Sequence, residues 1–312
     1  MPVDPQAQTF LDGLAQAGAR SMAETSPEEM RAGYALLSAL GLPVAEPPST
    51  EDRFIPGPAG DIPVRIYRPQ AEGTHPVVVF FHGGGFVIGG IGTHDPLCQQ
   101  LSSRVPAVVV SVDYRLAPEH PFPAAVEDCW AATQWVAANA AGLGADPARL
   151  AVAGDSAGGN LAAVVAIRAR DAGSPAVAYQ LLIYPTTDAT GSHPSIQENG
   201  QGYFLTAETM VWFQGHYLGP DGDRNHPDAS PLFIEDLSGV APAFIVTAEY
   251  DPLRDEGEAY GRRLEEAGVP TKVRRYDGMI HAFFQLDAVI PAAASAITDA
   301  VDGLRQALVT AT

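Results

Sequence analysis

The sequence predicts an α/β fold, with an open, mostly parallel sheet of about eight strands covered by helices on both faces. Three observations carry that expectation. From Pro76 onward, short unbroken apolar runs rich in Val and Ile alternate with helical segments, the pattern of strands buried on both sides. A Gly-x-Ser-x-Gly string sits between one of these runs and the helix that follows it, and a run of three glycines closes an earlier one. The 312 residues, 46 % hydrophobic and 18 % charged, suffice for a large core and lie far from the composition of a disordered chain.

Residues 5–42 read as two amphipathic helices. Phe10, Leu11, Leu14 and Ala15 keep helical spacing in the first; Ser26 as N-cap and Pro27 at the first helical position introduce the second, with Met30, Tyr34, Leu37 and Leu40 on one face. Gly41-Leu42-Pro43 ends it. After a Pro-rich connector, residues 51–56 and 62–68 are strand-like and flank Gly-Pro-Ala-Gly-Asp, which suits an antiparallel hairpin. Buried strands follow at 77–81, 107–112, 150–153, 181–184 and 243–248, with a weaker one at 272–276. Helices are expected at 124–140, 157–170, 254–267 and 291–308. Residues 188–219 interrupt the alternation with Gly, Ser and aromatics. They are too many for a tight connection and are expected to lie over the end of the sheet where ligands bind in such folds.

Eighteen Lys and Arg against 37 Asp and Glu leave a net charge of −19, which repels phosphate backbones and anionic surfaces, so no nucleic-acid partner is expected. No run approaches the roughly 20 apolar residues of a membrane span. The first thirty residues hold several acids and no basic region ahead of an apolar run, and the expected location is cytoplasmic. Cys98 and Cys129 have no metal-type spacing and are expected as free, buried thiols.

The chemistry is concentrated in a few positions. In Gly154-Asp155-Ser156-Ala157-Gly158, a tight strand-to-helix turn would force Ser156 into a strained conformation that glycine neighbours permit, and lift its hydroxyl above the sheet at a helix N-terminus. In His82-Gly83-Gly84-Gly85-Phe86, three glycines leave backbone N–H groups bare to meet a negative oxygen, with the N–H of Ala157 supplying the other half of that oxyanion hole. No Gly-Lys-Ser/Thr follows, which argues against a phosphate loop.

A serine hydroxyl needs a base, and the base needs an orienting carboxylate. Among the eight histidines, His281 follows the last strand and precedes the last helix. His75, His193 and His226 sit in polar connectors; His94, His120 and His216 are nearer to candidate loops; His82 adjoins the glycines and is read as a prop for that loop. Asp251 follows the strand at 243–248, held extended by Pro252, while Asp255 and Glu256 are explained as first-turn helix acids. The resulting order, Ser156, Asp251, His281, is that of the α/β-hydrolases.

With Asp113-Tyr114-Arg115-Leu116-Ala117-Pro118-Glu119, Asp251-Pro252-Leu253-Arg254-Asp255-Glu256 and His281-Ala282-Phe283 added to the two glycine motifs, the sequence resembles the hormone-sensitive lipase family of α/β-hydrolases, also called family IV carboxylesterases. The resemblance spans about residues 50–310. It implies an α/β-hydrolase fold, a Ser156 nucleophile, a His281 base, an Asp251 orienter, and an oxyanion hole from two of Gly83, Gly84 and Gly85 with Ala157. It further implies N-terminal cap helices over residues 1–45 and a catalytic domain over 46–312 with a cap insertion at about 190–220. No cofactor is implied, and no His-Glu-x-x-His or comparable cluster suggests a metal.

The expected activity is hydrolysis of short- to medium-chain, neutral carboxylic esters through an acyl-serine; an acidic envelope around an apolar pocket disfavours anionic substrates. Phe86, Val87, Leu205, Trp212, Phe213 and Phe283 are expected to line that pocket, together with Ile88, Phe204 and Phe284. An amidase or arylacetamide-type deacetylase is the alternative. A ligand receptor on the same scaffold, of the kind that has lost the catalytic histidine, fits less well because His281 is present. A homodimer through an edge strand near residues 272–276 is a further expectation.

Overall fold

Successive residues of a strand point to opposite sides of a sheet, and in the central strands of this chain both sides are apolar. The fold follows from satisfying both. The computed structural model describes residues 2–18 and 25–309. A hairpin of β1 (Ser49–Gly57) and β2 (Gly60–Arg68) is followed by β3 (His75–Phe81), β4 (Val108–Val112), β5 (Ala145–Asp155), β6 (Tyr179–Ile183), β7 (Ala243–Tyr250) and β8 (Thr271–Ile280). They form one eight-stranded sheet in the order β1-β2-β4-β3-β5-β6-β7-β8, antiparallel over its first pairings and parallel from β4 to β8.

Val77, Val79, Phe81, Val110, Val152 and Ile245 enter one core, beneath α4 (Ala124–Asn139), α5 (Ala157–Ala172) and α8 (Arg254–Glu266). Their neighbours Val78, Phe80, Val109, Ala151, Ala153 and Phe244 enter the other, beneath α1 (Pro5–Gln16), α3 (Ile91–Arg104) and α9 (Ala293–Leu308). Each such Val, Ile or Phe side chain, withdrawn from water, contributes about 1.5–3 kcal/mol.

Three elements depart from the sequence reading. No helix was expected where α3 stands, because Pro96 lies inside it and its apolar residues are few; Leu97, Cys98 and Leu101 suffice to bury one face. β8 runs on past Tyr276 to Ile280 through Gly278, whose φ of 75° bends the strand, and Tyr250 pairs with Ile280 after a register shift. The two N-terminal helices stand where they were expected, α1 and α2 (Pro27–Tyr34) with Ser26 as its N-cap, but the second passes into a 3₁₀ segment at Ala35–Leu40, and residues 19–24 of the expected helical stretch lie outside the described residues. α1 lies against the far edge of the sheet, its Asp4 N–H donating to the Gly278 carbonyl at 3.0 Å, whereas α2 reaches the pocket through Tyr34.

The long stretch after β6 carries α6 (Pro194–Asn199) and α7 (Ala207–Tyr217). Its two ends are pinned side by side. The Leu232 N–H donates to the Thr187 carbonyl at 3.1 Å, and the Ala189 N–H donates to Ser230 Oγ at 2.8 Å. Cys98 and Cys129 are free and buried.

Candidate active site

The carboxyl ends of the parallel strands meet beneath α2, α6 and α7. β5 ends at Asp155 and α5 begins at Ala157, so Ser156 alone makes the turn, with φ 55° and ψ −118°. Such a backbone costs on the order of 1–3 kcal/mol and persists because its surroundings leave no alternative. A Cβ on Gly158 would collide with the Phe81 carbonyl, and one on Gly154 with the Gly158 carbonyl, so the elbow closes only with glycine on both sides.

His281 follows β8, and Ala282 in the left-handed region turns the chain after it. Its Nε2 is 3.0 Å from Ser156 Oγ and its Nδ1 2.7 Å from Asp251 Oδ2. Asp251 is fully buried after β7, and its other oxygen accepts the Leu253 N–H at 2.8 Å. Ser156, His281 and Asp251, which lie far apart in the chain, thus form one hydrogen-bonded series. α6 braces the acid: Asn199 Nδ2 donates to the Asp251 and Glu249 carbonyls, and Ser195 Oγ to the Pro252 carbonyl.

The glycine loop faces the serine. The Gly83 N–H is taken by Asp155 Oδ1 at 2.8 Å and faces away from the pocket, which removes Gly83 from the donors anticipated in the sequence. Gly84 (φ 121°) and Gly85 (φ 59°) turn back toward Ser156 and line the cleft with Ala157; their N–H groups find no acceptor among the described residues. His82 is a prop: its Nδ1 donates to the Gly83 carbonyl at 2.8 Å, and its ring stacks on Tyr114 at 4.2 Å. Burial lowers the His82 pKa to about 3, so the ring is neutral. Tyr114 Oη donates to the His82 carbonyl, and the Ala117 N–H to the Phe86 carbonyl, so the 113–119 motif serves as scaffolding for this loop.

The cleft encloses about 850 Å³, part of it open to solvent. Phe86, Leu205 and Phe213 line it, as do Ile88 and Phe204; the other four expected wall residues, Val87, Trp212, Phe283 and Phe284, do not. Val87 is fully buried and points into the core behind the loop. Phe283 is fully buried on the opposite side of the sheet, against Tyr184, Tyr276 and Phe284. Trp212 sits on the flank of α7 against His216, because α7 turns Met210, Phe213 and Tyr217 inward at helical spacing. Tyr217 stacks flat on Phe86 at 3.8 Å. Sequence reasoning missed Tyr34, Thr186, Met210 and Gln214 as wall residues.

Glu256 is more than a first-turn acid. It is fully buried, and Oε1 accepts the N–H groups of Thr187 and Asp188 at 2.7 and 3.2 Å. Burial pushes its pKa up to about 8 despite those bonds. Among the described residues no group of three or more His, Cys, Asp or Glu side chains is arranged to hold a metal ion, and no helix is long and apolar enough to cross a membrane.

Residues 78–285 match the family described as the alpha/beta hydrolase fold. The chain is 48 % identical over 264 residues to Esterase LipI of Mycobacterium tuberculosis, covering 82 % of each chain. It is 40 % identical over 253 residues to the ethyl acetate hydrolase of Pseudomonas putida, covering 79 % of each. A solved hyperthermophilic esterase from the archaeon Pyrobaculum calidifontis superposes with a TM-score of 0.93 at 44 % identity, over 98 % of this chain and 99 % of the other.

Proposed function

Since the chain belongs to the α/β-hydrolase fold family, we propose that it is a serine carboxylesterase acting on short- to medium-chain, neutral carboxylic esters through an acyl-Ser156 intermediate. The observation that carries this reading is the Ser156–His281–Asp251 series opening beside free N–H groups in an apolar cleft. His281 Nε2 takes the Ser156 proton as Oγ attacks the ester carbonyl, then returns it to the leaving alcohol; the same nitrogen later activates water to release the acid. Asp251 holds the imidazole with its Nδ1 protonated and stabilises the cation formed at each attack. The N–H groups of Gly84, Gly85 and Ala157 bind the oxygen that turns negative, where removing one such donor costs about 2.7–4 kcal/mol in comparable sites.

The short-chain preference is supported by the aromatic roof over the cleft and by the likeness to an ethyl acetate hydrolase. In our division of the chain, residues 1–45 and about 190–220 cap a catalytic domain of residues 46–312. The reading includes a cytoplasmic location, which suits two free thiols, and a homodimer through the edge strand β8. Light scattering on the eluted protein tests the dimer. A panel of p-nitrophenyl esters from acetate to palmitate, with a matched anilide, tests the function: turnover should peak near butyrate, with the anilide far slower. A fluorophosphonate probe that leaves Ser156 unlabelled in folded protein would sink the proposal.

A further inference from the structure

The mechanism leaves one buried polar cluster without a part. Asp155, the residue before the nucleophile, is 1 % exposed, and its Oδ2 accepts Gln285 Nε2 at 3.1 Å while its Oδ1 holds the Gly83 N–H. Burial works against its ionised form, yet the His94 ring, whose Nε2 is 3.0 Å from Oδ1, and the Gly83 N–H together keep it below the ordinary aspartate range. Gln285 is 4 % exposed and exchanges hydrogen bonds with Tyr34 Oη, its Nε2 donating at 3.0 Å and its Oε1 accepting at 3.2 Å. Tyr34 stands on α2 and its side chain forms part of the cleft wall.

The same helix grips the other end of the loop. Arg31 Nε donates to the Val87 carbonyl and its Nη2 to the Ala117 carbonyl, both at 2.9 Å, while its fork is held by Glu119. α2 therefore holds residues 83–87 at both ends, through Tyr34, Gln285 and Asp155 at the start and through Arg31 at the finish. Three consecutive glycines have many backbone conformations, and their N–H groups act on an oxyanion only when one conformation is imposed from outside. A carboxylate so close to a developing negative charge opposes it electrostatically. Its place there is explained by the loop geometry it enforces.

We propose that Gln285 and Tyr34 are positioning residues for the oxyanion loop, a relay from α2 through Asp155 to Gly83 that sets the aim of the Gly84 and Gly85 N–H groups and ties docking of the N-terminal helix to turnover. The proposal rests on the serine-esterase reading.

The test compares Gln285→Leu and Tyr34→Phe with the unaltered protein on p-nitrophenyl butyrate and on a trifluoromethyl ketone, whose serine adduct carries the oxyanion. Gln285→Leu should lower kcat about tenfold with KM within about twofold, and weaken the ketone by the same factor as kcat/KM. Tyr34→Phe keeps its ring in the cleft wall and should show the same pattern at about two- to threefold. Gln100→Leu strips Asp287 of a comparable buried bond outside the relay, and should lower the melting temperature with kcat unchanged. Unaltered kcat and ketone affinity in a destabilised Gln285→Leu, or a rise in KM alone, would overturn the relay. Should Gln285→Leu not fold, the Tyr34→Phe comparison decides by the same criterion. No ester turnover by the unaltered protein would remove the esterase reading itself, whereas normal turnover with both variants unchanged removes only the relay.

Discussion

The floor and the roof of the cleft are built by different physics. On the floor, residues 82–89 and the elbow around Ser156 are fixed by backbone hydrogen bonds, buried side-chain partners and glycines whose Cβ positions are already occupied by other atoms. The roof of α7 and residues 203–205 is fixed by apolar contacts, among them Phe86 on Tyr217 and the Phe213 ring over Gly85. Hydrogen-bond geometry tolerates small errors poorly, and apolar packing accepts changes of shape. In the proposed function the reaction therefore falls to the floor and the choice of substrate to the roof.

The largest expected effect breaks the floor at its centre. Ser156→Ala should reduce kcat by about 10⁴-fold or more, and burst kinetics should show no acyl-enzyme. Next comes Gly84→Ala, which drives a methyl into the Ile88 carbonyl at a φ of 121°. Its kcat should fall about 10²- to 10³-fold with KM changed far less; a KM effect alone would erase the distinction between floor and roof. On the roof, Phe213→Ala should leave butyrate turnover within about threefold while raising the octanoate-to-butyrate ratio of kcat/KM about tenfold. A uniform loss on all chain lengths would move Phe213 to the floor.

The smallest effect concerns where the two meet. In the folded chain Glu256 keeps to about pH 8 a proton that the unfolded chain releases near the ordinary glutamate value of about 4.5. Its contribution to stability is thus full below about pH 4.5 and is lost as pH rises through about 8. Between pH 5 and 9 the melting temperature of the unaltered protein should fall by roughly 5 °C more than that of Glu256→Gln, by calorimetry. Parallel curves would show that Glu256 is not protonated in the fold.

The same contrast explains what the sequence reveals. The strings around Ser156 and Gly84 are legible because their strand-turn-helix context fixes local geometry, and the order of Asp251 and His281 follows from where parallel strands end. The braces are not legible. Asp155 meets Gly83 across 72 positions and Gln285 across 130, and a short motif carries no record of a partner that far away. The roof is harder still, since Val87, Trp212 and Phe283 are as apolar as the true wall residues and only the packed chain decides which way each one faces. α3 escaped because an interior proline speaks against a helix that tertiary packing nevertheless holds.

Thr187 and Leu232, with Ala189 and Ser230, fasten together the two ends of the excursion between β6 and β7. A segment that leaves and returns at one clasp can be lengthened, shortened or exchanged while the strands beneath keep their register. Heredity can thus rewrite the part of this stretch beyond α6, which braces Asp251, without retuning the machinery, and a graft of residues 201–229 from another family member would carry that donor's taste in esters onto this chain's chemistry.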